Sequence, residues 1–236
     1  MDTLTAPAWQ PAWDWPAACA ALGVADRALA PALALPLPRR PARSLFAHLV
    51  RAICSQQVSV AAADAFEARL RAGCGGELSA GGLAGFSDEQ LRAAGLSRQK
   101  ATYVRALADA ALQGRLQPAE LAIEDDEAVI ARLTALPGFG RWTAEMVLLF
   151  GLHRPDVWPA GDLGIRSAVT LLDGGGAATP VLSAAAVAAR AEVWRPHRST
   201  AALVLWTWRR SLRAAGDRAE SAPAAPGPVA AGGQTG

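Results

Sequence analysis

The sequence predicts an all-α fold, and two observations carry this prediction. Apolar residues recur three and four positions apart, the spacing of one helix face, over nearly the whole chain. Runs of valine or isoleucine that alternate with polar residues, as strands require, are absent from the sequence. The chain has 236 residues, which is enough to bury one good core or two small cores that share a face.

The N-terminal third begins with short elements. Prolines are concentrated in residues 1–43 and allow only short helices there, such as Trp15 to Leu22, before an irregular stretch from Pro31 to Pro41. Ser44 is placed to cap a longer helix with one apolar stripe. Ser59 begins the next helix, which runs through Leu70 and is stopped by three nearby glycines.

Caps also locate the middle helices. Ser87 followed by Gln90 is a capping-box pattern, and Gly95 ends that short helix. Ser97 caps a longer helix that extends towards Gly114. The acidic residues 124–127 mark another helix start, because negative charge stabilises a helix N-terminus. Residues 215–236 contain almost no bulky apolar side chains and are expected to form a disordered tail.

The composition excludes several classes of protein. The 23 basic and 21 acidic residues give a formal net charge of +2, which argues against a protein that holds nucleic acid or an acidic membrane by bulk charge. No apolar run reaches the roughly 20 residues of a membrane span, and no signal-peptide pattern is present. We therefore expect a cytoplasmic protein without a membrane partner.

The three cysteines are widely spaced and include no Cys-x-x-Cys pair, so no zinc site or iron–sulfur cluster is expected.

The stretch from Leu136 to Arg166 is the most informative. It predicts a helix that ends at Pro137, a tight turn at Gly138-Phe139-Gly140, and an apolar helix that begins at about Arg141. The glycines let the backbone turn sharply and leave N–H groups of the turn and of the next helix facing outward. Such groups bind anions, phosphate above all. The alternative is an ordinary helical hairpin whose glycines only cap helices.

Asp162 follows in an irregular Pro-Ala-Gly loop, directly before a helix predicted over Leu163 to Leu172. An N-cap role alone explains an aspartate at this position. A catalytic role is compatible with that cap.

Together these motifs resemble a known family. The run LPGFGRWTA, the proline-containing loop and the aspartate at the next helix start resemble the helix-hairpin-helix DNA glycosylases, and most closely their monofunctional 3-methyladenine DNA glycosylase II branch. The segments ICSQQVSVAAA, KATYVRALA and WRPHRSTAALVLW resemble other parts of that family. The resemblance covers about Pro31 to Arg213, most of the chain.

The resemblance implies a fold, a reaction and a partner. Two helical subdomains would flank an active-site cleft: residues 1–42 with 161–214 in one, and residues 43–160, which contain the helix-hairpin-helix of 136–150, in the other. The protein would act as a monomer on double-stranded DNA, flip out an alkylated purine and hydrolyse its N-glycosidic bond without a cofactor. A non-catalytic damage-sensing protein and a glycosylase for another damaged base are the alternatives.

The resemblance also assigns site residues. Asp162 would stabilise the sugar cation and position water. The base pocket would contain Trp142, Met146 and Trp206. The aromatic faces of the two tryptophans would attract a cationic base with about 0.5 to 2 kcal/mol. Core packing is the alternative for Trp206 and for Met146. Relatives that also cleave the strand carry a lysine where this chain has Trp142, so no strand cleavage by β-elimination is expected.

The expected DNA-binding residues are Gly138, Phe139, Gly140, Arg141, Gln56, Gln57 and Arg166. Gln57 matches the position of the side chain that fills the gap left by the flipped base, and an exposed polar pair is the alternative for both glutamines. The two arginines either contact phosphates or are solvated. No metal site is expected, and the hairpin backbone would hold a phosphate either alone or with a monovalent cation.

Overall fold

The computed structural model describes residues 9–176 and 179–220, which form helices and no β-strand. The predicted all-α fold is confirmed for this part of the chain. Within these ranges the α-helices are α1 (Trp15–Ala25), α2 (Ala30–Leu33), α3 (Leu45–Cys54), α4 (Val60–Gly73), α5 (Ala80–Ala84), α6 (Asp88–Ala93), α7 (Arg98–Leu112), α8 (Pro118–Ile123), α9 (Asp126–Thr134), α10 (Arg141–Phe150), α11 (Leu163–Leu172), α12 (Ala184–Arg190) and α13 (Arg198–Glu220). None of these helices is long and apolar enough to cross a membrane.

Side-chain caps begin the helices at the positions that the sequence predicted. Ser44, Ser59 and Ser97 each accept a hydrogen bond from the backbone N–H three residues further on. Ser87 and Gln90 form a complete capping box at the start of α6. Since such a cap contributes about 1 kcal/mol, the local sequence is enough to set these starting points.

Several predicted boundaries were wrong. Helix α4 includes Gly73 instead of ending at Leu70, and helix α9 ends at Thr134 instead of Pro137. Helix α1 runs to Ala25 instead of Leu22, because Gly23 stays helical and the backbone N–H of Asp26 still donates to the carbonyl oxygen of Leu22. The stretch from Pro31 contains helix α2, because Pro31 lies in its first turn, where the missing N–H costs nothing. Helix α13 continues to Glu220, so it includes 215–220 of the predicted disordered tail, where arginine, alanine and glutamate favour helix. The remaining tail, 221–236, and residues 1–8 lie outside the described residues.

The helices pack in two groups around one continuous apolar core. Helix α10 contacts α9 and α3, and α3 contacts α7. On the other side, α1, α2 and α11 contact α13. Helices α10 and α11, although neighbours in the chain, therefore belong to different groups, and the loop between them carries Asp162. The division into residues 1–42 with 161–214 and residues 43–160 stays a prediction.

Two tryptophans tie the N-terminal segment to both groups. Trp9 Nε1 donates to the carbonyl oxygen of Phe150 at the end of α10 (2.9 Å), and its ring stacks on His153 with the centroids 5.4 Å apart. Trp13 Nε1 donates to the hydroxyl of Thr200 on α13 (2.9 Å). Residues 9–14, which precede α1, are thus part of the fold.

Candidate functional site

Asp162 lies at the start of α11 and accepts hydrogen bonds on both carboxylate oxygens. Oδ1 accepts from the backbone N–H of Ile165 (2.8 Å) and from Nε1 of Trp206 (2.9 Å). Oδ2 accepts from Nε1 of Trp142 (2.8 Å). These donors come from α11, α13 and α10, so three helices fix the position of one half-buried carboxylate.

Aromatic surface surrounds this carboxylate. Trp142 is 45% exposed in the first turn of α10, and Met146 lies half-buried one turn later. Trp206 is half-buried, and Phe150 stacks against it with ring centroids 6.2 Å apart and planes at 21°. A Cβ atom on Gly164 would lie 2.9 Å from Asp162 Oδ1 and 3.4 Å from the Trp206 ring, so the absence of a side chain there lets the indole reach the carboxylate.

The turn before α10 has two glycines with different roles. Gly138 has a φ of +85°, and a Cβ atom there would lie 2.2 Å from Cδ2 of Tyr103, so this position requires glycine. Gly140 caps α10 with extended backbone, and a Cβ atom there would meet nothing within 4 Å. No side chain among the described residues caps α10, so the N–H groups of its first turn face outward. The side chain of Phe139 is buried in the core, which leaves its backbone for any DNA contact.

The two glutamines between α3 and α4 point in different directions. Gln56 Nε2 donates to the carbonyl oxygen of Gly138 (2.7 Å), which ties this junction to the glycine turn. Gln57 is exposed and has a left-handed φ of +55°. Lys100 Nζ donates to the carbonyl oxygen of Cys54 (3.0 Å) at the end of α3. The junction is therefore held from two sides, and Gln57 is presented at its tip.

The two predicted phosphate-binding arginines already have partners inside the protein. Arg141 donates through Nη1 to Glu127 (2.9 Å) and through Nε to Glu145 (3.1 Å). Burial raises the pKa of the Glu145 carboxyl, which Arg141 partly opposes. Arg166 Nε donates to the carbonyl oxygen of Leu182 (2.7 Å). Any contact between these arginines and DNA would use their remaining N–H groups or follow a rearrangement.

Sequence analysis missed four contributors to this region: Tyr103, Phe150, Gly164 and the hairpin contact of Gln56. The pairing of Arg141 with Glu145, four residues apart on one helix, was readable from the spacing. The Gln56 contact joins residues 82 positions apart and carries no local signal. Within the described ranges, no group of three or more His, Cys, Asp or Glu side chains is arranged to hold a metal ion.

The fold and the site together define a helix-hairpin-helix protein with one carboxylate beside its hairpin. A family model described as "HhH-GPD superfamily base excision DNA repair protein" matches residues 50–195, and the chain belongs to this superfamily. The resemblance found in the sequence is confirmed.

Named relatives include the DNA-3-methyladenine glycosylase 1 of Schizosaccharomyces pombe, 34% identical over 180 residues, which are 71% of this chain and 75% of that protein. A solved 3-methyladenine DNA glycosylase of the same yeast, in complex with abasic DNA, superposes with a TM-score of 0.71 at 30% identity and covers 81% of this chain and 95% of its own. The DNA-3-methyladenine glycosidase of Bacillus halodurans superposes with a TM-score of 0.69 at 33% identity and covers 86% and 91%.

Proposed function

We propose that this protein is a monofunctional DNA glycosylase that hydrolyses the N-glycosidic bond of alkylated purines, of the 3-methyladenine type, in double-stranded DNA. The observation that carries the proposal is the Asp162 carboxylate between the N–H groups of Trp142 and Trp206. The relative and the two solved neighbours described above are named 3-methyladenine glycosylases or glycosidases, and these names support the substrate class.

The bond to be broken is hidden in a duplex, so the damaged nucleotide first leaves the base stack. The hairpin holds the strand, because the outward N–H groups of Gly140 and of the first turn of α10 bind a backbone phosphate. Gln57 enters the gap left by the flipped base. Arg141 and Arg166 are the further proposed phosphate contacts.

The flipped base lies against the faces of Trp142 and Trp206, with Met146 beside them. A purine methylated at N3 is cationic, and an aromatic face stabilises it by about 0.5 to 2 kcal/mol. This attraction favours the damaged base over the neutral bases that surround it.

Two charges promote cleavage of the N-glycosidic bond: the positive charge on the methylated base and the negative charge of Asp162 beside the sugar. The bond between C1′ and the base nitrogen breaks with both electrons leaving on the base, which neutralises the base and leaves a cation on the sugar. The Asp162 carboxylate stabilises that cation. Water then adds to C1′ and gives its proton to Asp162 or to solvent. Because Trp142 has no amine, no Schiff base forms and the strand stays intact.

The protein acts as a monomer, and in a bacterial-type cell its substrate places it in the cytoplasm.

The test is release of bases from methylated duplex DNA, identified by chromatography before and after alkaline strand cleavage. Asp162→Asn keeps the helix cap, since asparagine caps as well as aspartate, and removes the charge. We expect the wild-type protein to release 3-methyladenine and Asp162→Asn to be at least roughly a hundredfold slower. Asp109→Asn, an exposed carboxylate on α7, is the matched control.

Equal rates for wild-type protein and Asp162→Asn would end the catalytic assignment. Tight binding of the wild-type protein to an abasic analogue without release of any base would select a damage-sensing protein instead. Release of other bases alone would select a glycosylase for a different lesion.

A further inference from the structure

Arg40 carries a charge that the proposed mechanism does not use. It lies in the proline-rich stretch between α2 and α3, and its guanidinium carbon is 4.7 Å from the ring centroid of Phe150. Phe150 stacks on Trp206, and Trp206 donates to Asp162. Two side chains, those of Phe150 and Trp206, therefore join this cation to the proposed catalytic carboxylate.

The charged groups that face Arg40 are themselves cations. Burial, with smaller contributions from the nearby charges of Arg210 and Arg43, lowers the pKa of Arg40 to about 10. Arg43 is balanced by Glu67 at 2.9 Å. Arg210 is exposed on α13, one turn after Trp206. Within the described part of the chain, no carboxylate forms an ion pair with Arg40 or Arg210.

An uncompensated cation in a partly buried position costs free energy, and the face of Phe150 offsets only part of that cost. Elsewhere the protein gives half-buried arginines a hydrogen-bond acceptor, as it does for Arg190 with Asp26 and for Arg166 with the carbonyl oxygen of Leu182. Arg40 and Arg210 are neighbouring cations beside the Phe150 ring, and such a pair is complementary to an anion. The anion that accompanies every nucleotide of a DNA strand is its phosphodiester.

We propose that Arg40, together with Arg210, binds a backbone phosphate of the DNA strand that carries the damaged base. The choice of ligand rests on the proposed function, whereas the absence of an ion pair at Arg40 and Arg210 within the described part of the chain does not. Both residues lie outside residues 50–195, the stretch that matches the family model. The proline-rich N-terminal segment and the middle of α13 would thus extend the DNA-binding surface beyond the hairpin.

Salt dependence of DNA binding tests this directly, because each phosphate contact contributes about 0.9 to the slope of log affinity against log salt. Affinity would be measured over a salt series with an undamaged duplex and with a duplex that contains an abasic analogue. We expect Arg40→Gln and Arg210→Gln each to reduce the slope by about 0.9, and Arg40→Lys to keep it. The matched control is Arg92→Gln, an exposed arginine on α6, which should leave the slope unchanged.

A second measurement separates binding from a purely structural role. If Arg40 serves DNA, removal of its charge leaves the thermal midpoint of the free protein unchanged or higher, because the fold loses an unpaired cation. A wild-type slope in folded Arg40→Gln, or in Arg210→Gln, would overturn the proposal. If Arg40→Gln does not fold, the exposed Arg210→Gln decides. The assay needs no base release, so an inactive wild-type protein would end the proposed function and leave this test valid.

Discussion

At the scale of single residues, the two oxygens of Asp162 are not equivalent. Oδ1 accepts from the backbone of α11 and from the half-buried Trp206, two donors that are fixed by packing. Oδ2 accepts only from Trp142, which is half exposed. Oδ1 therefore anchors the carboxylate, and Oδ2 is the oxygen that can turn towards the substrate.

This difference makes Trp206 a positioning residue as well as an aromatic surface. Trp206→Phe keeps an aromatic face and removes the N–H donor. A hydrogen bond to a charged group contributes about 1.5 to 3 kcal/mol, so we expect kcat to fall roughly tenfold to a hundredfold with a much smaller change in KM. Single-turnover rates measure the effect, with Trp208→Phe on the same helix as the control.

Trp206→Phe should have no further effect on the rate once the negative charge of Asp162 has been removed. In the Asp162→Asn background, we expect Trp206→Phe to leave the residual rate unchanged, because residues that act as a unit are not additive. A loss that is equal in both backgrounds would mean that Trp206 only packs.

Single residues also mark the limit of what the sequence could predict about the site. Asp162, Trp142 and Trp206 stand in recognisable motifs, and their proximity followed from the family resemblance. Gln56 was expected to contact DNA, yet it donates to the carbonyl oxygen of Gly138. Its neighbour Gln57 has the same side chain and is exposed. Only the backbone direction at the end of α3, which tertiary contacts set, distinguishes the two.

At the scale of elements, the two glycines before α10 should respond differently to the same change. Gly138→Ala puts a Cβ atom at positive φ and against Tyr103, so we expect the free energy of unfolding to fall by more than about 1 kcal/mol. Gly140→Ala meets open space and extended backbone, so its stability should stay within about 0.5 kcal/mol of wild type.

The variant that keeps its stability, Gly140→Ala, should be the one that loses affinity for DNA. A Cβ atom on Gly140 projects where a phosphate would approach the uncapped N–H groups, so we expect Gly140→Ala to weaken binding of duplex DNA without loss of stability. Urea unfolding and equilibrium binding measure the two effects. Wild-type affinity in Gly140→Ala would contradict a close approach of the strand at this turn.

Helices with a side-chain cap and one clear apolar stripe were predicted from the sequence, as α3 and α7 illustrate. Helix α5 was missed because its sequence, AGGLA, has two glycines that disfavour helix. Its Leu83 is buried and the helix contacts α7, so tertiary contacts override local propensity. Helix α8 was missed because Gln117 provides no side-chain cap. Local sequence fixes strong helices, and tertiary packing decides the weak ones.

At the scale of the whole molecule, distant segments meet around His48 on α3. Burial, with smaller contributions from Arg43, His153 and Arg40, lowers the pKa of His48 to about 4, while Glu67 opposes this shift. In the described residues, His48 Nε2 is buried and has no hydrogen-bond partner. The fold therefore holds this imidazole neutral over a range in which the unfolded chain protonates it.

The consequence is a pH-dependent stability with a defined sign. Between the ordinary value of 6.5 and about 4, the unfolded state binds a proton at His48 that the folded state does not bind. The free energy of unfolding should therefore decrease as the pH falls through this window, by up to about 3 kcal/mol at its lower end. Urea unfolding of the wild-type protein and of His48→Gln from pH 7 to pH 4.5 measures this contribution. We expect the two stability curves to converge as the pH falls, because glutamine cannot take up the proton. Parallel curves would mean that His48 is equally protonated in both states and that the acid sensitivity of the fold arises at other groups.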